Sequence, residues 1–253
     1  MKLRHGLTVV ICLTLLAACG KVGPVKPLQK ALPSAVSNAT LDQKGNALLL
    51  AWDIPTTNQD GSALDNLKGF DIYRSDYNLA KGCPECRPPK NLLRQVDLAY
   101  YQSSNRNSKR IYMWDSGVDE EVGFRYRIVP MTTEGHAGAE VLIHRPCYSA
   151  PYPPMEVTGE ALDKQVRLSW SAAEESRQGV TIVGYNIYRR SGDSYFSALP
   201  LNEAPVVETA YEDFQVNNGT LYTYAVRTVI AIADQRLESP LSSPINLLPQ
   251  RPL

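Results

Sequence analysis

The chain repeats itself, and that repetition restricts its fold more than any other feature. Leu50-Ala51-Trp52-Asp53 returns as Leu168-Ser169-Trp170-Ser171. Gly69-Phe70-Asp71-Ile72-Tyr73-Arg74-Ser75 returns as Gly184-Tyr185-Asn186-Ile187-Tyr188-Arg189-Arg190, and Phe124-Arg125-Tyr126-Arg127-Ile128 returns as Tyr222-Thr223-Tyr224-Ala225-Val226. The offsets are 118, 115 and 98, so the copies keep the order of their core segments and differ in their loops. Two domains follow, and 253 residues at 43% hydrophobic content supply a core for each.

Within each copy the segments alternate apolar and polar residues, as in Val166-Arg167-Leu168-Ser169-Trp170, the period of a strand with one buried face. Gln43-Lys44-Gly45-Asn46 and Asn217-Asn218-Gly219 punctuate them as turns. Eighteen Pro, 16 Gly and 14 Tyr against 4 Phe suit short strands and many turns better than helical bundles. The expected class is all-β, with one antiparallel sandwich per copy around a Trp near its start.

Leu-x-Trp, Gly-aromatic-x-Ile-Tyr-Arg, aromatic-x-Tyr-x-Val and Glu238-Ser239-Pro240, in that order, resemble the pattern of fibronectin type III domains, over residues from about Ser34 to Leu248. The resemblance implies immunoglobulin-like sandwiches over residues 34–148 and 149–253, the second with a C-terminal tail. It makes Trp52 and Trp170 core residues of the second strand and puts Tyr73 and Tyr188 on the third. Tyr222 becomes the tyrosine whose hydroxyl bonds back to the chain. Phe124 stands at that position in the first copy and has no hydroxyl. Ala150-Pro151-Tyr152-Pro153-Pro154 reads as a stiff linker, and each domain is expected to unfold by itself.

Residues 1–18 read as a signal peptide: Lys2 and Arg4 precede an apolar run from Leu7 to Leu16 that is too short to span a bilayer. Leu16-Ala17-Ala18-Cys19 resembles the lipobox of bacterial lipoproteins. The resemblance implies cleavage before Cys19, a diacylglycerol on its sulfur and an acyl chain, palmitate, on its amino group, anchoring the protein through several chains. Gly20 in place of Asp implies outer-membrane sorting, as in enterobacterial lipoproteins, with the protein facing the periplasm and the cell surface as the other orientation. Residues 19–33 read as a flexible tether rich in Pro and Gly, with a reach of roughly 40 Å when extended. Cys19, Gly20, Gly23 and Pro24 also resemble the head of the LptM lipoproteins, which assist maturation of the lipopolysaccharide translocon. Val22 stands where that family has Lys, Lys21 is displaced by one, and Val25 replaces Leu. The resemblance makes Gly20, Gly23 and Pro24 a candidate partner-binding head.

One constellation carries chemistry. Cys83-Pro84-Glu85-Cys86 falls in a long loop after the third strand, and His144-Arg145-Pro146-Cys147 closes the last strand of the first copy. In the fibronectin type III topology these two segments share a pole. Three arrangements are open: a disulfide between Cys83 and Cys86, in an oxidising compartment; a long-range disulfide from Cys147 to one of that pair; and a zinc site of Cys83, Cys86, His144 and Cys147. The local disulfide is the reading adopted, with no metal and no cofactor. Disulfide exchange is the remaining reading, disfavoured because the pair has no helix N-terminus to lower a thiol pKa.

Nucleophile-elbow, metalloprotease and phosphate-loop motifs are absent, and no enzyme is indicated. With 26 basic against 26 acidic residues, the composition offers no electrostatic footprint for nucleic acid. The expectation is a lipid-anchored, non-enzymatic envelope scaffold that binds another envelope protein and assists lipopolysaccharide-translocon assembly. The alternative is a polysaccharide-binding lipoprotein using exposed aromatics such as Tyr100-Tyr101. A third possibility is a disulfide-handling protein using Cys83 and Cys86.

Overall fold

The computed structural model describes residues 31–104 and 108–251. Cys19, Gly20, Gly23 and Pro24 lie outside the described residues. The first copy supplies β1 (Ser37–Lys44), β2 (Ala47–Asp53), β3 (Leu67–Asn78), β4 (Asn91–Asp97), a short helix α1 (Leu98–Ser104), β5 (Arg110–Asp115), β6 (Val122–Thr132) and β7 (Val141–Pro146). The second supplies β8 (Met155–Leu162), β9 (Gln165–Ser171), β10 (Val180–Ser191), β11 (Ala210–Asp213), β12 (Tyr222–Ile232), β13 (Gln235–Glu238) and β14 (Ile245–Leu247). The class is all-β, as the alternation requires. The helix is one short excursion, capped where the Asp97 carboxylate accepts the Tyr100 N–H at 3.0 Å.

Each copy closes its own sandwich. In the first, β1, β2 and β5 face the antiparallel sheet β4-β3-β6-β7; in the second, β10, β12, β13 and β14 face β11-β9-β8. Leu48, Leu50 and Trp52 on β2 meet Phe70 and Ile72 on β3 and Tyr126 and Ile128 on β6 in one buried cluster. Val166, Leu168 and Trp170 on β9 meet Tyr185 and Ile187 on β10 and Tyr224 and Val226 on β12 in the other. The equivalence extends to ring geometry: Trp52 meets Phe70 edge-on at 5.4 Å, and Trp170 meets Tyr185 edge-on at 5.3 Å. The repeated glycine has a local cause. A Cβ on Gly69 would lie 2.0 Å from the Val96 carbonyl oxygen, and one on Gly184, at φ +141°, would lie 2.6 Å from that of Val206. In both copies a neighbouring segment crosses close over the start of the third strand, where only glycine leaves room.

The two sandwiches are more than neighbours on a linker. β1 pairs in parallel with β13, Gln43 beside Leu237 and Lys44 beside Glu238, so β10, β12, β13, β1, β2 and β5 run as one continuous sheet across the joint, with β14 paired to β12. The Gln43-Lys44-Gly45-Asn46 turn, expected only to separate two strands, is the contact itself. Gln43 is buried, donates to the Tyr148 carbonyl at 2.6 Å and accepts the Tyr148 N–H at 3.0 Å. The Gly45 N–H donates to the Glu238 carbonyl at 2.8 Å, and at φ +62° a Cβ there would sit 3.1 Å from the Pro240 Cα.

Buried charge holds this joint. Lys44 Nζ lies 2.7 Å from Glu238 Oε1 and donates to the Tyr188 hydroxyl at 2.6 Å. That hydroxyl donates to Glu238 Oε2 at 2.7 Å, and Asn186 Nδ2 donates to Glu238 Oε1 at 2.8 Å. Arg145, buried on β7, donates to the carbonyls of Leu41 and Arg236, one from each sandwich. Around the Pro-rich linker, Arg177 of the second copy donates to the Ser149 carbonyl at 2.6 Å while its guanidinium grips both oxygens of Glu175, at 2.8 and 2.5 Å.

Candidate functional site

The loop between β3 and β4 carries Cys83 and Cys86, and the connection that follows β10 in the second copy has no cysteine. The structure joins these two in a disulfide. With a sequence separation of 3, the loop-closure relation assigns this bond only about 2 kcal/mol, near the low end for disulfides. The loop has a second set of supports. The Asn78 side chain accepts the N–H groups of Ala80 and Lys81, both at 3.0 Å, and the Asn78 carbonyl accepts the Gly82 N–H at 2.7 Å. Gly82 is needed there, because a Cβ would lie 2.5 Å from the Asn78 carbonyl oxygen.

From the sheet below, Arg125 on β6 reaches up. Its Nη1 donates to the carbonyls of Cys83 at 3.0 Å and Arg87 at 3.2 Å, and its Nη2 donates to that of Asp76 at 3.3 Å. Sequence reasoning missed this residue, although a signal was present. The repeat that reads Phe124-Arg125-Tyr126-Arg127 in the first copy reads Tyr222-Thr223-Tyr224-Ala225 in the second, so the two arginines belong only to the copy that has the loop.

The expected meeting of the loop with the end of β7 is realised through His144 and not through Cys147. His144, paired with Arg125 across the ladder, places Nε2 3.8 Å from Glu85 Oε1 and its ring edge-on to Tyr77 at 6.3 Å. The loop, β6 and β7 enclose a cleft of about 330 Å³ whose lining includes Pro84, Glu85, Arg87, Leu142 and His144. Cys147 is a free thiol in the buried cluster of the first sandwich, and burial pushes its pKa up to about 11. Cys83, Cys86, His144 and Cys147 therefore do not converge as a ligand set: two of the sulfurs are bonded to each other and the third points into the core. Among the described residues no group of three or more His, Cys, Asp and Glu is placed to hold a metal ion.

A second constellation, also missed, occurs twice. The Tyr126 hydroxyl donates to Asp115 Oδ2 at 2.6 Å while Arg74 Nη1 donates to both oxygens of that carboxylate, at 3.0 and 2.8 Å, and to the Gly117 carbonyl at 2.7 Å. In the second copy the Tyr224 hydroxyl donates to Asp213 at 2.8 Å, and Arg189 donates to Asp213 at 2.6 Å and to the Gln215 carbonyl at 2.7 Å. Burial pushes the Asp115 carboxyl up, but the hydrogen bonds from Tyr126 and Arg74 outweigh it and its pKa is lowered; burial and then the adjacent carboxylate raise the pKa of Tyr126. Asp115 and Asp213 stand on one sheet of their sandwiches and their partners on the other, so each group is an inter-sheet brace. The same Tyr–Asp–Arg arrangement in both copies, bidentate from Arg74 in the first and through one oxygen from Arg189 in the second, reads as architecture.

The Tyr222 hydroxyl accepts the Asn217 N–H at 3.1 Å, the contact expected of the tyrosine corner. At the matching place Phe124 lies under Arg74, centroid distance 5.3 Å, and the chain is closed by the backbone pairs Glu121 N–H to Cys147 carbonyl and Cys147 N–H to Val122 carbonyl, both 2.9 Å. Tyr100 and Tyr101 differ in their surroundings. Tyr100 is exposed, whereas the Tyr101 hydroxyl donates to the Arg110 carbonyl at 3.2 Å and accepts the Tyr112 N–H at 3.1 Å. The second ring thus caps backbone groups of the edge strand β5, a device that protects a sheet edge.

No family model matches the chain, and no curated protein matches it. Among solved structures it is similar to an Fn3-like protein from Clostridium thermocellum, at 27% identity over 42% of this chain and 97% of that one, with a TM-score of 0.31. It is also similar to the FN1-FN3 domains of chicken CNTN1, at 15% identity over 88% of this chain and 66% of that one, TM-score 0.32. A third is a protein described as a myokine structure, at 19% identity over 40% of this chain and all of that one, TM-score 0.32.

Proposed function

We propose that the protein is a lipid-anchored, non-enzymatic envelope scaffold, held at the outer membrane through Cys19 and facing the periplasm, which binds an envelope protein and assists assembly of the lipopolysaccharide translocon. The observation that carries the scaffold reading is the joint. A sheet that continues from β10 to β5 through a parallel pair, sealed by Lys44, Tyr188 and Glu238, fixes two sandwiches in one arrangement, which suits presenting surfaces at a set spacing. The titratable groups that look most like chemistry, Asp115 with Tyr126 and Asp213 with Tyr224, are spent on bracing. The anchor and the head rest on the residues Cys19, Gly20, Gly23 and Pro24, and their roles are those the lipoprotein and LptM resemblances imply. No observation favours the polysaccharide reading, since Tyr101 is occupied at the β5 edge.

Cells expressing the full chain test this. Cys19→Ala is expected to move the protein out of the membrane fraction, and cross-linking of intact envelopes followed by purification is expected to recover one discrete partner. Gly23→Val combined with Pro24→Ala should lose that partner and the oxidised, mature form of the translocon protein. Equal rescue by the double variant and the unaltered chain would refute the translocon role.

A further inference from the structure

We propose that Cys83–Cys86 is a thiol–disulfide exchange site for a partner protein's dithiol, and not a staple of the first sandwich. The inference rests on the loop between β3 and β4 alone and stands whether or not the chain is lipid-anchored. Both cysteine residues are exposed, which puts the bond on a surface loop that a partner protein can approach. The loop has supports besides the bond, in the Asn78 bonds to Ala80, Lys81 and Gly82 and the Arg125 bonds to the carbonyls of Cys83, Arg87 and Asp76. The core does not need it either, because the second sandwich builds the same core with no cysteine and with Thr223 at the position of Arg125.

Charge around the pair favours the chemistry. Lys81 and Arg87 are exposed within two residues of the cysteines, and Arg125 lies under them with its guanidinium on the Cys83 carbonyl. The acidic residue between the cysteines, Glu85, is turned toward His144. Cationic surroundings stabilise a thiolate, which makes it the better leaving group and speeds exchange, and they do so here without the helix N-terminus whose absence argued against exchange from sequence alone.

The step balances within the two proteins. A partner thiolate attacks one sulfur of the pair; a mixed disulfide forms, the Cys83–Cys86 bond breaks, and the other cysteine leaves as a thiolate beside the cations. A second thiolate of the same partner then attacks the partner sulfur of the mixed disulfide. The partner gains a disulfide and loses two electrons, and Cys83 and Cys86 are left as a dithiol. Cys147, buried in the core, takes no part and provides an internal control.

The test exposes the full chain to excess reduced glutathione at neutral pH, native and in concentrated urea, with acid quenching, alkylation and peptide mass mapping. The native bond is expected to open at least about tenfold faster than the unfolded one, with Cys147 unlabelled and with circular dichroism and the thermal midpoint of the reduced chain essentially unchanged. Lys81→Gln with Arg87→Gln, both at exposed positions, should slow the native reaction, and Lys81→Arg with Arg87→Lys should restore it, whereas Arg125→Gln should slow the native reaction alone, because only the fold brings that cation to the pair. A native rate equal to or below the unfolded rate, or loss of the first sandwich on reduction, would overturn the proposal and return the bond to a structural role.

Discussion

Glu238→Gln is the substitution that tests the joint most directly. The carboxylate faces Lys44 Nζ at 2.7 Å, Tyr188 at 2.7 Å, Asn186 at 2.8 Å and Arg227 Nε at 3.6 Å, and the Lys44 side chain is only 6% exposed. The amide preserves shape and one acceptor but leaves the Lys44 ammonium buried without its counter-charge, and breaking a buried pair from one side costs about 3–5 kcal/mol. At about 2–4 °C per kcal/mol for a chain of this size, the thermal midpoint should fall by roughly 6–20 °C. Lys44→Met is expected to cost less, about 1–3 kcal/mol, because Glu238 keeps Tyr188, Asn186 and Arg227. The double variant should be more stable than the sum of the two losses predicts, with a coupling of at least about 1 kcal/mol. Urea and thermal unfolding of the four proteins, followed by circular dichroism, measure the cycle. A Glu238→Gln cost within about 0.5 kcal/mol of zero and an additive cycle would refute a joint sealed by charge.

Trp52→Ala and Trp170→Ala should each cost about 3–5 kcal/mol as core cavities, and because β1 and β13 share a sheet, each should also lower amide protection in the other sandwich. Full protection remaining there would show that the parallel pair transmits nothing. The Arg177 guanidinium draws the Glu175 carboxyl down to about 2 from its ordinary 4.5. Because the folded-state value is the lower one, the stabilisation is complete above pH 4.5 and fades as pH falls toward 2. Across that window the urea midpoint of the unaltered chain should fall further than that of Arg177→Gln, and parallel curves would contradict the assignment.

Much of the architecture was legible because it is periodic. Alternation in Val166-Arg167-Leu168-Ser169-Trp170 places alternate side chains on one face whatever the strand pairs with, so the all-β class, the two cores and the role of Trp52 and Trp170 follow from local pattern. The Cys83–Cys86 bond was legible for a different local reason: two cysteines so near in the chain need little from the rest of the fold to meet. What tertiary structure decided is where distant segments converge. Gln43-Lys44-Gly45 is composed like any solvated turn, and only the approach of β13, nearly two hundred residues later in the chain, turns Lys44 into one half of a buried pair. Cys147 and His144 are three residues apart, yet one points into the core and the other toward the loop. Arg125 and Asp115 are ordinary charged residues until the sheets bring the Cys83 carbonyl to one and Arg74 and Tyr126 to the other. Hydrophobic periodicity is a property of neighbours along the chain, whereas the partner of a polar group is set by the packing of the sheets, and the local sequence does not encode it.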